Sequence, residues 1–324
     1  MNPLTGIYSA ASVLRNQLFD RGLLKVRRLD RPVVSVGNLS VGGAGKTPFV
    51  IALGELLKAR GIRFDVLSRG YGRKTRGVLE VDLNGSAPRF GDEPLLIARC
   101  LGVPVFVGES RYRAGCVAEK KSDAQLHILD DGFQHRALAR DFDIVLLSDR
   151  DFNDQLLPSG RLREPLAALK RADAIVLPGP GAAENVATEN IATTTAAAEH
   201  PALRGKFLWR MKRQFVLCAA PEAAVVFCGI ARPDQFFAQV RAAGMTPAAE
   251  MVFPDHHAYR RKDIEQLLAT QAKLGAGGFV TTEKDAINLG LLQAKLGPMA
   301  VARLTVSIEN PNAVVDTILA RIRI

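Results

Sequence analysis

The run Ser40-Val41-Gly42-Gly43-Ala44-Gly45-Lys46-Thr47 holds the most concentrated chemistry in the chain. Glycines let backbone approach a ligand closely, and successive amide N–H groups ahead of a helix cradle an anion. Lys46 would reach the outer phosphates of a nucleotide, and the Thr47 hydroxyl would ligate magnesium. The run ends in Gly-Lys-Thr, as a Walker A loop does. Ser40 stands where the first glycine of that motif is expected, which leaves Gly42-Gly43 to make the turn. A loop of this kind needs an acid at the end of a neighbouring strand. Leu126-His127-Ile128-Leu129 leads into Asp130-Asp131-Gly132 and supplies two carboxylates, with Asp130 the first choice to face the metal and Asp131 beside it. In isolation an Asp-Gly strand-end turn would look the same.

The elements that must hold these groups alternate in type. Val33–Val36, Phe64–Leu67, Val103–Val107, Leu126–Leu129, Ile144–Leu147 and Ala174–Leu177 are nearly continuous apolar runs, separated by helical patterns such as Pro48 to Arg60. That alternation predicts an α/β fold, a P-loop-type doubly wound parallel sheet covered on both faces. The segment Gly179 to Pro201 reads as an exposed excursion. A second series (Ala224 to Cys228, Gly278 to Thr282, Ala300 to Ser307) predicts a second, smaller domain. The boundary falls near Gly205 to Ala220, giving residues 1–208 and 209–324. Arg69 and Tyr71 follow a strand at the edge where open α/β sheets bind ligands, so substrate contact is expected there.

Pro3 to Leu24 reads as an amphipathic helix, with Ile7, Tyr8, Ala11, Leu14, Leu18 and Phe19 near helical spacing, and a basic cluster of Lys25, Arg27, Arg28 and Arg31 follows it. Such a helix packs on the protein's own core or lies on an anionic bilayer face. The 324 residues carry 43 Lys+Arg against 33 Asp+Glu, a net charge of +10 that favours a polyanionic partner. No uninterrupted apolar run is long enough to span a bilayer. The amino terminus lacks the order of a secretory signal, which predicts a cytoplasmic chain. Cys100, Cys116, Cys218 and Cys228 form no CxxC pair, so free thiols in a reducing compartment are expected.

Further motifs follow in order: Val36-Gly37-Asn38, Thr47-Pro48, Ser68-Arg69-Gly70-Tyr71-Gly72, Gly91-Asp92-Glu93-Pro94, Asp130-Asp131-Gly132-Phe133-Gln134-His135, Leu157 to Pro165, Gly229 to Pro233, Asp255-His256-His257 and Thr282-Glu283-Lys284-Asp285-Ala286. Together they cover almost the whole chain, and the set resembles the tetraacyldisaccharide 4'-kinase family of Gram-negative bacteria. The resemblance implies transfer of the ATP γ-phosphate, with Mg2+, to the 4'-hydroxyl of an acylated glucosamine disaccharide. It places the enzyme peripherally on the cytoplasmic face of the inner membrane. It also implies two α/β/α domains joined by a two-stranded linker, with the site in the cleft between them. Asp92 matches the family's proposed catalytic acid residue and His256 its dyad partner, although the adjacent His257 is not distinguished from His256 by sequence. Arg163 and Glu164 match a loop that contacts nucleotide phosphates and metal. The family's Glu-Lys-Asp run often continues into a lysine where this chain has Asn288.

The partners thus expected are an acylated disaccharide lipid and an anionic membrane surface, with no nucleic acid, and the chain is expected to be a monomer. A second reading is a soluble P-loop kinase or NTPase acting on a small metabolite. A third, a basic nucleic-acid-binding module, rests on net charge alone and has no dedicated motif.

Overall fold

The computed structural model describes residues 3–42, 45–179 and 200–324. Its frame is a twelve-stranded sheet, and chain order names the strands: β1 (Val33–Asn38), β2 (Phe64–Ser68), β3 (Leu79–Glu80), β4 (Val105–Val107), β5 (Leu126–Asp130), β6 (Phe142–Leu146), β7 (Ala174–Pro178), β8 (Phe207–Val216), β9 (Val225–Cys228), β10 (Ala249–Val252), β11 (Phe279–Thr282) and β12 (Met299–Ile308). The spatial order is β10-β9-β11-β12-β8-β7-β6-β1-β5-β2-β4-β3. Pairing is parallel except at β8–β12 and β3–β4. The mixed α/β class with a large, mostly parallel sheet is the one expected from the alternating apolar runs.

The central strands β1, β2, β5 and β6 are buried at every residue. Helices must therefore cover both faces. On one face α2 (Lys46–Ala59) turns Phe49, Val50, Leu53 and Leu57 onto Val34, Val36, Ile128 and Ile144. On the other, Leu39, Phe133, Val145, Leu169 and Ile175 form a second apolar cluster. Burying such aliphatic and aromatic side chains contributes about 1.5–3 kcal/mol each, which is what fixes the sheet. Strands β9 and β11 are sandwiched in the same way by two further clusters, while the edge strand β10 packs Ala249 and Met251 on one of them and leaves Glu250 and Val252 exposed.

Three features depart from what local pattern predicts. The amino-terminal helix, α1 (Pro3–Asp20), ends four residues short of Leu24. The proposed boundary at Gly205 to Ala220 contains β8, a ten-residue strand that pairs parallel with β7 and antiparallel with β12. Trp209 and Met211 alternate inward there, but Arg210, Lys212, Arg213 and Gln214 mask the alternation in sequence. The last helix (Pro311–Ile322) sends Val314, Val315 and Ile318 into the same cluster as Phe49 and Val34, so the end of the chain packs on its beginning. The excursion expected at Gly179 to Pro201 falls almost wholly outside the described residues.

At Gly91 conformation and space both call for glycine. Gly91 has φ 91°, and a Cβ there would stand 2.9 Å from the Tyr71 carbonyl oxygen. Its turn starts the helix Asp92–Leu101, so Asp92 is the first helical residue.

Candidate active site

Strands β1 and β5 are neighbours with Val36 opposite Asp130, so the loops that follow them open at one corner of the sheet. Asn38 closes β1 and Lys46 opens α2. Lys46 Nζ donates to Asn38 Oδ1 at 2.9 Å and lies 3.4 Å from Asp131 Oδ1. Arg163 grips Asp131 with two prongs, Nη1 to Oδ2 at 3.0 Å and Nη2 to Oδ1 at 2.9 Å, and Nη2 also donates to Asn38. A strap of chain delivers that arginine: the amide of Val41 donates to the Arg161 carbonyl at 2.8 Å, and the amide of Arg163 to the Leu39 carbonyl at 2.6 Å. Gly45, at φ 79°, faces the guanidinium of Arg213 from β8, and a Cβ there would approach Arg213 Nε to 3.1 Å.

The two adjacent acids are driven apart. Burial pushes the Asp130 carboxyl up to about 7, helped by the charges of Glu93 and Asp131, with Lys46 and a 3.0 Å hydrogen bond from Ser68 Oγ opposing. Burial also acts on Asp131, but the Lys46 ammonium and Arg163 guanidinium overcome it and hold the group well below the usual carboxylate range. Asp130 Oδ1 is buried without a hydrogen-bond partner. An orphaned carboxylate oxygen of this kind fits a cation, because an unpaired buried acceptor is otherwise costly.

A second cluster joins distant parts of the chain. His256 Nδ1 and Asp92 Oδ2 are 2.7 Å apart, with Asp92 almost fully buried. Asp92 Oδ1 accepts from the Glu93 amide at 2.9 Å, and Asn288 Nδ2 donates to Oδ2 at 3.4 Å. Burial opposes ionisation of Asp92, but the hydrogen bond and charge of His256, aided by Lys284, lower its pKa. The same hydrogen bond raises His256 against its own burial. The ring of Tyr71 meets that of His256 edge-on at 5.3 Å, and Lys284 pairs with Glu93. His256 takes φ 56°, with its amide bound to the Gly229 carbonyl. His257 turns elsewhere: its Nε2 is 3.0 Å from Asp263 Oδ2 and its ring stacks on Phe253.

Of the residues expected at the loop, Ser40, Val41, Gly42, Gly45, Lys46 and Thr47 lie along the turn from β1 into α2, with Thr47 buried. Gly43 and Ala44 fall outside the described residues. Glu164 leaves its neighbour's company: Oε2 accepts from Arg171 at 2.9 Å and Asn16 at 2.7 Å, while Oε1 is buried without a partner. Arg69 is exposed after β2, close enough to Arg111 that burial together with the Arg69 charge lowers Arg111 to about 10. Asn38, Ser68 and Asn288 have direct contacts with site residues that sequence reasoning gave no role. Asn38 and Ser68 stand within the ordered motifs and Asn288 where the family often has lysine, but the sequence assigned none of these contacts.

A sheet corner with a glycine turn, a helix-opening lysine and a buried acid, set beside a carboxylate–imidazole pair, defines a P-loop phosphotransferase. The family model described as Tetraacyldisaccharide-1-P 4'-kinase matches residues 1–323. The chain belongs to that family. It is 46% identical to the tetraacyldisaccharide 4'-kinase of Koribacter versatilis over 98% of each chain. Against that of Aquifex aeolicus the figure is 37%, covering 89% of this chain and 88% of the relative. A crystal structure of LpxK from Aquifex aeolicus in complex with ATP superposes with a TM-score of 0.77 at 34% identity, over 99% of this chain and 97% of that one.

Proposed function

We propose that the chain transfers the γ-phosphate of ATP to the 4'-hydroxyl of a tetraacylated glucosamine disaccharide 1-phosphate, working peripherally at the cytoplasmic face of the inner membrane. The observation that carries this reading is the Asp92–His256 pair, joined at 2.7 Å beside a phosphate-binding corner. A soluble kinase of small metabolites is not favoured, because the family match runs the length of the chain.

Phosphoryl transfer depends on positioning and charge neutralisation. Lys46 and Arg163 supply two cations, aligned by Asp131 and Asn38, for the triphosphate oxygens. Mg2+ would be held by the Thr47 hydroxyl and Asp130, whose Oδ1 is buried without a partner, while Asp131 has both oxygens engaged by cations and Glu164 is taken up by Arg171 and Asn16. When bound, the ion neutralises phosphate oxygens. The described residues contain no group of three metal-binding side chains, which suits a cation completed by phosphates and water. The Asp92–His256 pair accepts the proton of the attacking hydroxyl as a unit, Asp92 supplying the negative charge and the ring orienting it. Two domains, residues 1–208 and 209–324, would meet at this pair, with the β8–β12 ladder as their joint.

No described helix is long and apolar enough to cross a membrane. The exposed Leu4, Ile7 and Leu14 of α1 would instead lie on the bilayer. A cavity of about 380 Å3 lined by Lys25, Arg27 and Arg113, with Glu109 also in its wall, would offer net positive charge to sugar-phosphate or lipid head groups, while burial and nearby guanidinium groups, Arg111 first, push the His135 ring down to about 4 and keep it neutral; Arg69 and Tyr71 would line the acceptor side. The test is turnover with MgATP and detergent-dispersed acyl disaccharide. ADP should form in step with 4'-phosphorylated lipid. ADP with free phosphate and no lipid product would overturn the reading.

A further inference from the structure

The helix α1 has a second face that a bilayer anchor would not need. Thr5, Tyr8 and Asn16 lie on it and are buried or half-buried, whereas Ile7 and Leu14 on the opposite side are exposed. All three touch the strap that carries Arg163. Thr5 Oγ1 lies 2.5 Å from Ser159 Oγ, the Tyr8 hydroxyl donates to the Arg163 carbonyl at 3.1 Å, and Asn16 Nδ2 donates to Glu164 Oε2 at 2.7 Å. Asn16 is itself held, because Arg136 Nη1 donates to its carbonyl at 2.8 Å while Nη2 of the same guanidinium binds Asp20. Glu164 is 1% exposed, so loss of the Asn16 amide would leave a buried carboxylate oxygen with one donor fewer. Arg163 precedes Glu164 directly, and its guanidinium is the one fixed on Asp131 and Asn38 beside Lys46.

We infer that Tyr8 and Asn16 are positioning residues of the nucleotide site: α1 is the brace that sets where Arg163 stands, besides being the face turned to the lipid. The inference rests on the kinase reading above, since it presumes that Arg163 meets nucleotide phosphates. Neither residue touches the nucleotide; each acts through the strap. Two consequences follow. Nucleotide affinity depends on two side chains of a helix that belongs to none of the phosphate-binding motifs. Whatever shifts α1 also shifts Arg163, so nucleotide affinity and docking of the helix are thermodynamically linked.

The experiment titrates the full chain, without lipid, with a nonhydrolysable ATP analogue in Mg2+, and measures KM and kcat separately with the acyl disaccharide. Asn16→Ala is expected to raise the analogue Kd and the KM for ATP about tenfold, the scale of one lost hydrogen bond to a buried charge, with kcat changed far less. Asn16→Gln should recover most of that loss. Tyr8→Phe deletes one hydroxyl, so it remains informative if Asn16→Ala fails to fold, and it should raise Kd about threefold. Gln17→Ala, on the exposed side of the same helix, should bind the analogue as the parent does. Parental Kd values in both Asn16→Ala and Tyr8→Phe would overturn the inference. So would an equal weakening by Gln17→Ala, which would make the effect one of general helix stability. Failure of the parent chain itself to bind the analogue would instead remove the kinase reading.

Discussion

The glycine-turn corner around Lys46 and the Asp92–His256 pair lie side by side but are built on opposite principles. Asn38, Asp130 and Asp131 sit at the ends of two strands that are hydrogen-bonded to each other, and Lys46 opens the helix that follows the first of them, so one strand–loop–helix unit and its neighbour dictate their geometry. Asp92 and His256 are 164 residues apart in the chain and are joined by side chains alone, as are Glu93 with Lys284 and Asp92 with Asn288. The electrostatics differ too. In the phosphate corner two acids of one kind are split, one up to about 7 and one depressed. In the dyad an acid and a base stabilise each other's charge. The lesson is that binding and chemistry have separate foundations and should fail separately.

The largest effect should come from the sharpest break. Asp92→Ala removes the proposed proton acceptor and is expected to lower kcat by about 10²–10⁴-fold, with affinity for a nonhydrolysable ATP analogue within about twofold of the parent. Lys46→Ala should damage that affinity directly. Stopped turnover combined with a parental analogue Kd would confirm the separation; equal loss of analogue binding in both variants would abolish it.

A smaller break sharpens the phosphate corner. Arg163→Lys keeps the charge but cannot span both oxygens of Asp131 while reaching Asn38, because a single ammonium lacks the planar fork. Analogue affinity should fall about tenfold, read by the same titration. Retention of full affinity would reduce Arg163 to a general source of charge.

The unequal construction also explains what could be read from the chain alone. Lys46, Thr47 and Asp130 were legible because their spacing from apolar strands is a local constraint. Most strands were legible for the same reason. The strand Phe207–Val216 was not, since Arg210, Lys212, Arg213 and Gln214 along its middle obscure an inward alternation that only the packed sheet reveals. Asp92 was legible only through resemblance, because a carboxylate at the start of a helix has the pattern of any cap. His256 and His257 are equivalent as letters; a left-handed turn at His256 aims one ring at Asp92 and leaves the other on Phe253. Lys284 was visible as part of an ordered motif and Asn288 as a departure from the family's run, but neither contact was, for their partners arrive from 191 and 196 residues away.

The dyad's charges can be tested without turnover. The raised pKa of His256 means that its share of the stabilisation is complete below its ordinary 6.5 and is lost as pH rises through the higher folded value. The lowered pKa of Asp92 means that its share is present above 3.8 and is lost as pH falls through the depressed value. The pair is therefore worth most between these ordinary values. In Asp92→Asn the imidazole of His256, followed by NMR, should titrate at lower pH than in the parent, since its largest stabilising contact is gone while burial remains. An unmoved titration would show that Asp92 does not govern the ring.

Asn288→Ala should have the smallest effect, and it tests how much of the dyad's geometry is shared. Its amide reaches Asp92 Oδ2 at 3.4 Å, a long hydrogen bond to an oxygen already bound at 2.7 Å by His256. Such a contact contributes little to binding, but it comes from the helix Glu283–Leu289 and restrains the carboxylate from a second side. Loss of the amide should lower kcat about two- to fivefold and leave analogue affinity alone. In the Asp92→Ala background the same substitution should cost nothing further, because the oxygen it orients is absent. Equal costs in both backgrounds would mean that Asn288 acts on the acceptor sugar or the fold rather than through Asp92, and the dyad would then be held from one side only.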